Sequence, residues 1–372
     1  MKIILISQKD PLSIKNWSGT VKSIYDCLEQ NNIVIPVKLH KNIKIYFYDF
    51  IYMLLRKLKF RRLAFFEKRS YLMSQAIGRQ IEKIKNVDFI IAPSGSQIIS
   101  NISTSVPIIY YSDATFKVLE NYYIHDLKEK DKTEGNIIDL KAISSSKLCL
   151  FASDWAAQSA IDDYEADPSK VKVLKFPAYL PDLYKEKTPF KLDKVKLLFV
   201  GVDWERKGAD LAIKTAAKLE KLYPGKFSLD IIGLDKPDKE VISENIKFHG
   251  FLNKNSNEDR NKIIEFYQNS HLFFLPTKAE AAGIVFSEAS EYGLPIITHN
   301  TGGISSYVGN DISGKLLPIG SSEDDFINAI LSIVGCPNTY IRYSKNARNK
   351  YLNELNWQIW EKQLKYYIEK IS

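Results

Sequence analysis

Two glutamates with seven residues between them open the chemical reading of this chain: Glu280-Ala-Ala-Gly283-Ile-Val-Phe-Ser-Glu288. An apolar run from His271 to Pro276 comes before them, and helical spacing starts near Gly283. The pattern predicts a strand, then a loop carrying Glu280, then a helix. The first amides of that helix, those of Gly283, Ile284 and Val285, have no partner inside it. Such amides, together with the helix dipole, suit a phosphate. Glu288 falls more than one turn into the helix and can accept two hydrogen bonds from a vicinal diol such as a ribose. Glu280, ahead of the helix, can reach hydroxyls of whatever lies beyond the phosphates. Gly293-Leu-Pro295 then closes the helix and opens the next strand.

A second stretch supplies positive charge. Phe199-Val-Gly201-Val-Asp-Trp204-Glu-Arg206-Lys207-Gly208 follows another apolar strand. A glycine turn lets the backbone approach a ligand. Arg206 and Lys207 suit a diphosphate, the first as a bidentate fork and the second as a point charge. Taken singly, each stretch also fits an ordinary helix with solvated glutamates or a solvated Arg-Lys pair.

In combination and order, these residues resemble the retaining glycosyltransferases of family 4 (glycosyltransferase group 1), whose signature is a pair of glutamates with this spacing. The resemblance implies the GT-B fold of two Rossmann-like domains. It implies a nucleotide-sugar donor held in the second domain, with Glu288 on the ribose, Glu280 on the sugar, and Arg206 and Lys207 on the diphosphate. Many relatives carry Arg directly after the glycine, where this chain has Val202, so Arg206 is expected to supply that charge. Lys247-Phe-His-Gly250-Phe251 resembles the segment that contacts the base, and Thr301-Gly-Gly303 the glycine loop after the donor helix. In the first domain, Gly19 resembles an N-terminal glycine that lies against the donor phosphates. Asp113 stands where many relatives have a histidine near the transferred sugar; it also fits an N-cap of a helix starting at Ala114. The five histidines show no ligand spacing, and the family generally needs no divalent ion, so no metal or other cofactor is expected.

The elements that must position these residues come in two series. Short apolar runs alternate with helical patterns from Lys2 to Pro177 and again from Val195 to Pro318. Two consecutive series predict an α/β protein of two doubly wound parallel sheets, with ligands beyond the carboxyl ends of the strands and a cleft between the domains as the site. The stretch from Ala178 to Lys194 is dense in Pro, Lys and Asp. It places the division at residues 1–187, an acceptor-binding domain, and 188–350, a donor-binding domain. Residues 351–372 are expected as a C-terminal helix that returns to the first domain. The three cysteines are far apart and fit small buried hydrophobes rather than a disulfide framework.

The formal charge is +8, and the whole surplus lies between residues 38 and 75, which hold ten Lys/Arg and two acids. That concentration is unlike a general nucleic-acid coat. On a helical wheel, Phe47, Tyr48, Ile51, Leu54, Leu55 and Leu58 form one apolar stripe. Arg56, Lys57, Lys59 and Arg61 fall outside it, and Arg62 returns to it. A basic amphipathic helix of this kind fits contact with an anionic membrane, all five cations included, or a core-packed helix with a solvated rim. No apolar run reaches membrane-span length, so a cytoplasmic enzyme, peripheral on the inner face of the cytoplasmic membrane, is expected. The expected reaction is retaining transfer of a hexose from a UDP- or GDP-linked donor. The expected acceptor is a lipid-linked or membrane-associated glycan, as in surface polysaccharide or lipopolysaccharide assembly. A soluble small-molecule or protein acceptor, and a non-catalytic GT-B binding module, stay open.

Overall fold

The computed structural model describes residues 1–187, 194–237 and 243–371. The chain divides into two compact units, Met1–Leu174 with Glu361–Ser372, and Lys175–Trp360. The boundary read between 187 and 188 falls at residues 188–193, outside the described ones.

The first unit is built on six strands: β1 (Lys2–Ser7), β2 (Ile33–Lys38), β3 (Phe89–Pro93), β4 (Ile108–Ser112), β5 (Leu148–Phe151) and β6 (Val171–Val173). They pair in parallel in the order β2-β1-β3-β4-β5-β6. The second holds β7 (Val195–Val200), β8 (Phe227–Ile232), β9 (Ile246–Phe248), β10 (Leu272–Leu275), β11 (Ile296–His299) and β12 (Gly314–Leu317). These too are parallel, in the order β12-β11-β10-β7-β8-β9. Every strand read from the sequence is present: the central ones, covered on both faces, show as long apolar runs, and the edge strands β2, β6, β9 and β12 as short β-rich runs that admit a lysine. Leu197, Leu198 and Phe199 of β7 and all four residues of β10 are fully buried. The last helix, Trp357–Ile371, ties its end to the first unit, where Tyr367 Oη donates to Val173 O at 3.1 Å.

Each sheet has a point where strand order reverses, and loops leaving the carboxyl ends there open a crevice. In the second unit the reversal lies between β7 and β10. The loops that follow those two strands carry Arg206, Lys207 and Glu280. In the first unit it lies between β1 and β3, and the loop after β1 carries Gly19.

The basic segment forms the helix Ile43–Lys57, which ends before Arg62. The structure splits the stripe read from the wheel. Tyr48, Ile51 and Leu55 turn toward the unit with Ile45 and Tyr52, while Phe47, Leu54 and Leu58 face out. Arg61 corrects an expectation: it is only 3% exposed and cannot meet a membrane as a surface cation. Its Nε donates to Asp131 Oδ1 at 2.6 Å and its Nη2 to Glu134 Oε2 at 2.8 Å, and its guanidinium lies 4.4 Å from the Phe66 ring centroid. Asp131 is fully buried. A carboxylate this deeply buried is costly unless paired, and among the described residues Arg61 is the cation that pairs with it. Of the cysteines, Cys27 and Cys149 are buried as expected, and Cys336 is exposed.

Gly208, between the short helix Trp204–Lys207 and the helix Ala209–Leu222, has φ +72°. A Cβ there would sit 2.1 Å from Pro276 O. The left-handed backbone and the clash both act on Gly208→Ala, which should destabilise the chain by about 2 kcal/mol or more. Urea unfolding of the variant beside the wild type measures it.

Candidate functional site

The site of the second unit is assembled at the carboxyl ends of β7, β8, β9 and β10. Three glycines line it because nothing larger fits. A Cβ on Gly201 would lie 2.8 Å from Lys207 Cγ, and one on Gly233 would lie 2.4 Å from Gly201 O. Gly250, at φ +63°, accepts a hydrogen bond from Gly233 N at 2.8 Å. The Lys207 chain therefore runs directly across bare backbone after β7. Phe251, next to Gly250, is 71% exposed.

Asp203 caps the short helix that carries both cations, accepting from Arg206 N at 3.0 Å. Lys207 is almost buried and its Nζ donates to Glu280 Oε2. Arg206 donates from Nη1 to Ala279 O at 3.1 Å and brings the same nitrogen within 3.7 Å of Glu280 Oε2. The loop after β10 is held from the other side, since Lys278 N donates to Arg206 O at 2.7 Å and Gly303 N to Glu280 O at 3.0 Å. Arg206, Lys207 and Glu280, read from two stretches more than seventy residues apart, thus form one charged cluster.

The helix after Glu280 runs Ile284–Glu291 with Gly283 at its N-cap. The first amide to bond back to Gly283 O is that of Phe286, at 2.8 Å. The amides of Ile284 and Val285 precede that closure and supply the N-terminal dipole of the helix. Further along, Glu288 is fully buried. Its Oε1 takes a hydrogen bond from Lys254 Nζ and its Oε2 one from Tyr267 Oη at 3.1 Å. Neither partner was read from the sequence. Glu291, one turn further on, is also buried. Burial, and then the charge of Glu288, push its carboxyl from its ordinary 4.5 up to about 9.

In the first unit the loop after β1 is strained. Trp17 (φ 48°, ψ 49°) and Ser18 (φ 56°, ψ 29°) enter Gly19 (φ 89°) in the left-handed region, which a bulky side chain seldom adopts. Trp17 packs edge-on to Tyr111 of β4 with centroids 6.1 Å apart. Asp113 follows β4 but is not an N-cap. The short helix begins at Phe116, and its cap is Thr115, whose side chain accepts from Val118 N at 3.5 Å. Each unit presents its predicted residues at the carboxyl edge of its own sheet.

This architecture and site define a class: the fold is GT-B. Residues 182–350 match the model of the family described as "Glycosyl transferases group 1", and the resemblance read from the glutamate pair and glycine loops holds. Among curated relatives, the lipopolysaccharide glucosyltransferase WaaG of Escherichia coli (strain K12) is 27% identical over 217 residues, 55% of this chain and 57% of that protein. The chain is therefore aligned to less than two thirds of that relative's length. Two solved structures share the whole architecture. Sucrose-phosphate synthase from Thermosynechococcus elongatus has a TM-score of 0.72 at 15% identity, covering 99% of this chain and 98% of its own. HepE of Anabaena in complex with UDP has a TM-score of 0.68 at 14% identity, covering 99% and 100%.

The Glu291 carboxyl gives a stability test. An acid whose pKa rises on folding keeps its proton in the folded chain over a range where the unfolded chain has lost it. Stability therefore falls as pH rises from about 4.5 to about 9. Glu291→Gln removes that loss, so the urea midpoint of the variant should gain on the wild type far more at pH 8.5 than at pH 5.

Proposed function

We propose that this chain is a retaining glycosyltransferase that moves a hexose from a UDP- or GDP-linked donor to a lipid-linked or membrane-associated glycan, in surface polysaccharide or lipopolysaccharide assembly. The convergence of Arg206, Lys207, Glu280 and the Gly283–Val285 helix start on one strand edge carries the reading. Relatives support it: a lipopolysaccharide glucosyltransferase among the curated matches, and HepE structures holding UDP and UDP-glucose among the neighbours of like fold.

In this mechanism Arg206, Lys207 and the helix amides hold the donor diphosphate, and their charge stabilises it as the glycosidic bond breaks. No resident metal is required for that task, since two cations and a helix dipole already face the developing charge. Glu288 accepts from the ribose and Glu280 from sugar hydroxyls, while Gly250 and Phe251 border the base. The acceptor hydroxyl attacks on the face the diphosphate leaves, and a phosphate oxygen takes its proton. From the first unit, Gly19 and Asp113 are the residues proposed to take part in the same reaction.

A membrane-borne acceptor accounts for the helix Ile43–Lys57. Its outward face presents Tyr46, Phe47, Phe50 and Met53, each between 51% and 60% exposed, with Ile43, Leu54 and Leu58 beside them. A helix that packs one apolar face and shows another to the outside is matched to a second apolar medium. Exposed Lys44, Arg56, Lys57, Lys59 and Arg62 flank it, each worth about 1 kcal/mol near an anionic leaflet. No helix among the described residues is long and apolar enough to cross a membrane. The proposed enzyme acts at the cytoplasmic face as a peripheral protein, with this helix as its contact.

Calorimetry with UDP- and GDP-sugars tests the donor site, and the chain should bind one series. Glu288→Ala should abolish sugar transfer with the fold intact, and full activity in that variant would end the assignment. Binding to anionic vesicles should weaken with salt and fall at least tenfold when Arg56, Lys57, Lys59 and Arg62 are neutralised together, a loss of about 1.4 kcal/mol or more. Unchanged sedimentation of that variant with vesicles would exclude the membrane role.

A further inference from the structure

A second exposed apolar feature lies beside the helix Ile43–Lys57. The loop after β1 shows Leu12 at 41% and Ile14 at 44% exposure, and Ile43, the first residue of the helix, is 82% exposed. The loop and the lead into the helix hang on one residue, Ser7, at the carboxyl end of β1. Its O accepts from Leu39 N at 2.9 Å, just ahead of the helix cap Asn42. Its Oγ accepts from Asn16 Nδ2 at 2.9 Å, just after Ile14. Ile14 and Ile43 therefore stand close to a shared anchor, on loops leaving the paired strands β1 and β2 at one sheet edge.

Single exposed aliphatic residues are ordinary on a protein surface. These two are held out by the build of the loop. Asp10 Oδ1 accepts from Leu12 N at 3.0 Å, Asp10 O from Ser13 N at 3.1 Å, and Ser13 O from Asn16 N at 3.0 Å. Pro11, beside Leu12, is buried. The turn thus closes on itself and leaves through left-handed Trp17 and Ser18, a conformation that persists only where the surroundings fix it. Leu12 and Ile14 turn inward only if that set of bonds breaks. The charge around them is mostly positive. Lys9, Lys15, Lys38 and Lys44 are exposed, while Asp10 commits a carboxylate oxygen to the turn.

We propose that the loop after β1 is a second contact with an anionic membrane, so that the carboxyl edge of the first sheet, with Gly19 and Asp113, faces the bilayer. The proposal rests on the membrane reading of the helix given above and adds the orientation to it. One interfacial helix can pivot about its own axis; two apolar and basic contacts from adjacent strands fix which way the unit lies. A lipid-linked acceptor then meets the crevice from the headgroup layer, its sugar beside Gly19 and its lipid still in the leaflet.

The test adds a tryptophan to the full chain at one place at a time: Leu12→Trp, Ile14→Trp and Phe47→Trp. Each is read as the change in fluorescence over the wild type on vesicles of phosphatidylcholine and phosphatidylglycerol in equal parts, with and without brominated acyl chains. All three should shift to the blue and be quenched by the brominated lipid. If Phe47→Trp is quenched and neither Leu12→Trp nor Ile14→Trp is, the proposal is overturned and the helix contact stands. Quenching at none of the three ends both. Replacing Leu12 and Ile14 together by serine should lower vesicle affinity at least about tenfold, less than full burial of two aliphatic side chains gives. Unchanged affinity in that double variant also overturns the proposal.

Discussion

Lys207 and Glu280 are both nearly inaccessible and oppositely charged, and the site is organised around keeping them so. Stranding either one would cost about 3–5 kcal/mol. The fold brings them together by a chain of close approaches. Gly201 lacks a Cβ, so Lys207 can cross the end of β7. Gly208 takes a left-handed turn under Pro276 O, which seats the loop after β10 on the helix that bears the cations. Lys278 N and Thr277 Oγ1 then both donate to Arg206 O, fixing the distance between the loops. A diphosphate brought to this cluster meets cations whose charge is already partly answered by Glu280.

The helix Ile284–Glu291 shows the same economy with a different outcome at each carboxyl. Glu288 has a cation and a phenol within hydrogen-bonding distance, whereas Glu291 sits among Tyr351, Asp182 and Arg348, where burial raises its pKa. Arg348 donates to Asp182 Oδ1 at 2.9 Å and Asp182 Oδ2 at 2.7 Å, and to the backbone O of Glu291 at 2.6 Å rather than to its carboxyl. Two glutamates of identical chemistry, on one helix and equally hidden, are thus sorted into a hydrogen-bond acceptor and an apolar-like filler by what packs over them.

Much of this was legible in the sequence. All twelve strands announced themselves, the central ones because strands covered on both faces are continuously apolar, as Leu197 to Phe199 and Leu272 to Leu275 are. Arg206, Lys207, Glu280 and Gly283 were legible too, since loops at strand ends keep their chemistry within a few residues of a strand signal. Lys254 was not. A lysine in a polar loop carries no periodic mark, and its partner lies 34 residues further on. The alternative reading of Asp113 as a helix cap fails for a related reason: the helix begins two places further on, and the cap falls to Thr115. Nor does a left-handed Trp17 show in a sequence, where only glycine advertises that conformation.

The basic segment shows where composition stops being a guide to surface. Ten cations within 38 residues read as one patch, yet Arg61 is committed to Asp131 and Glu134, and Arg69 to Asp49 and Gln97. Burial alone would raise the Asp49 carboxyl, but Lys41 and Arg69 hold it below its ordinary value. These ion pairs clamp the helix Ile43–Lys57 at two places: at Asp49 in its middle, and at the turn after it through Arg61 and the bond from Tyr52 Oη to Arg62 O at 3.0 Å. An apolar face this exposed would otherwise lower its free energy by rotating inward, since burying one large side chain is worth about 1.5–3 kcal/mol. The inward face is already occupied by Ile45, Tyr48, Tyr52 and Leu55 and pinned by ion pairs, so rotation would bury nothing new and would break the clamps. Part of the positive charge of this segment therefore serves to hold its apolar residues outward, and the remainder surrounds them.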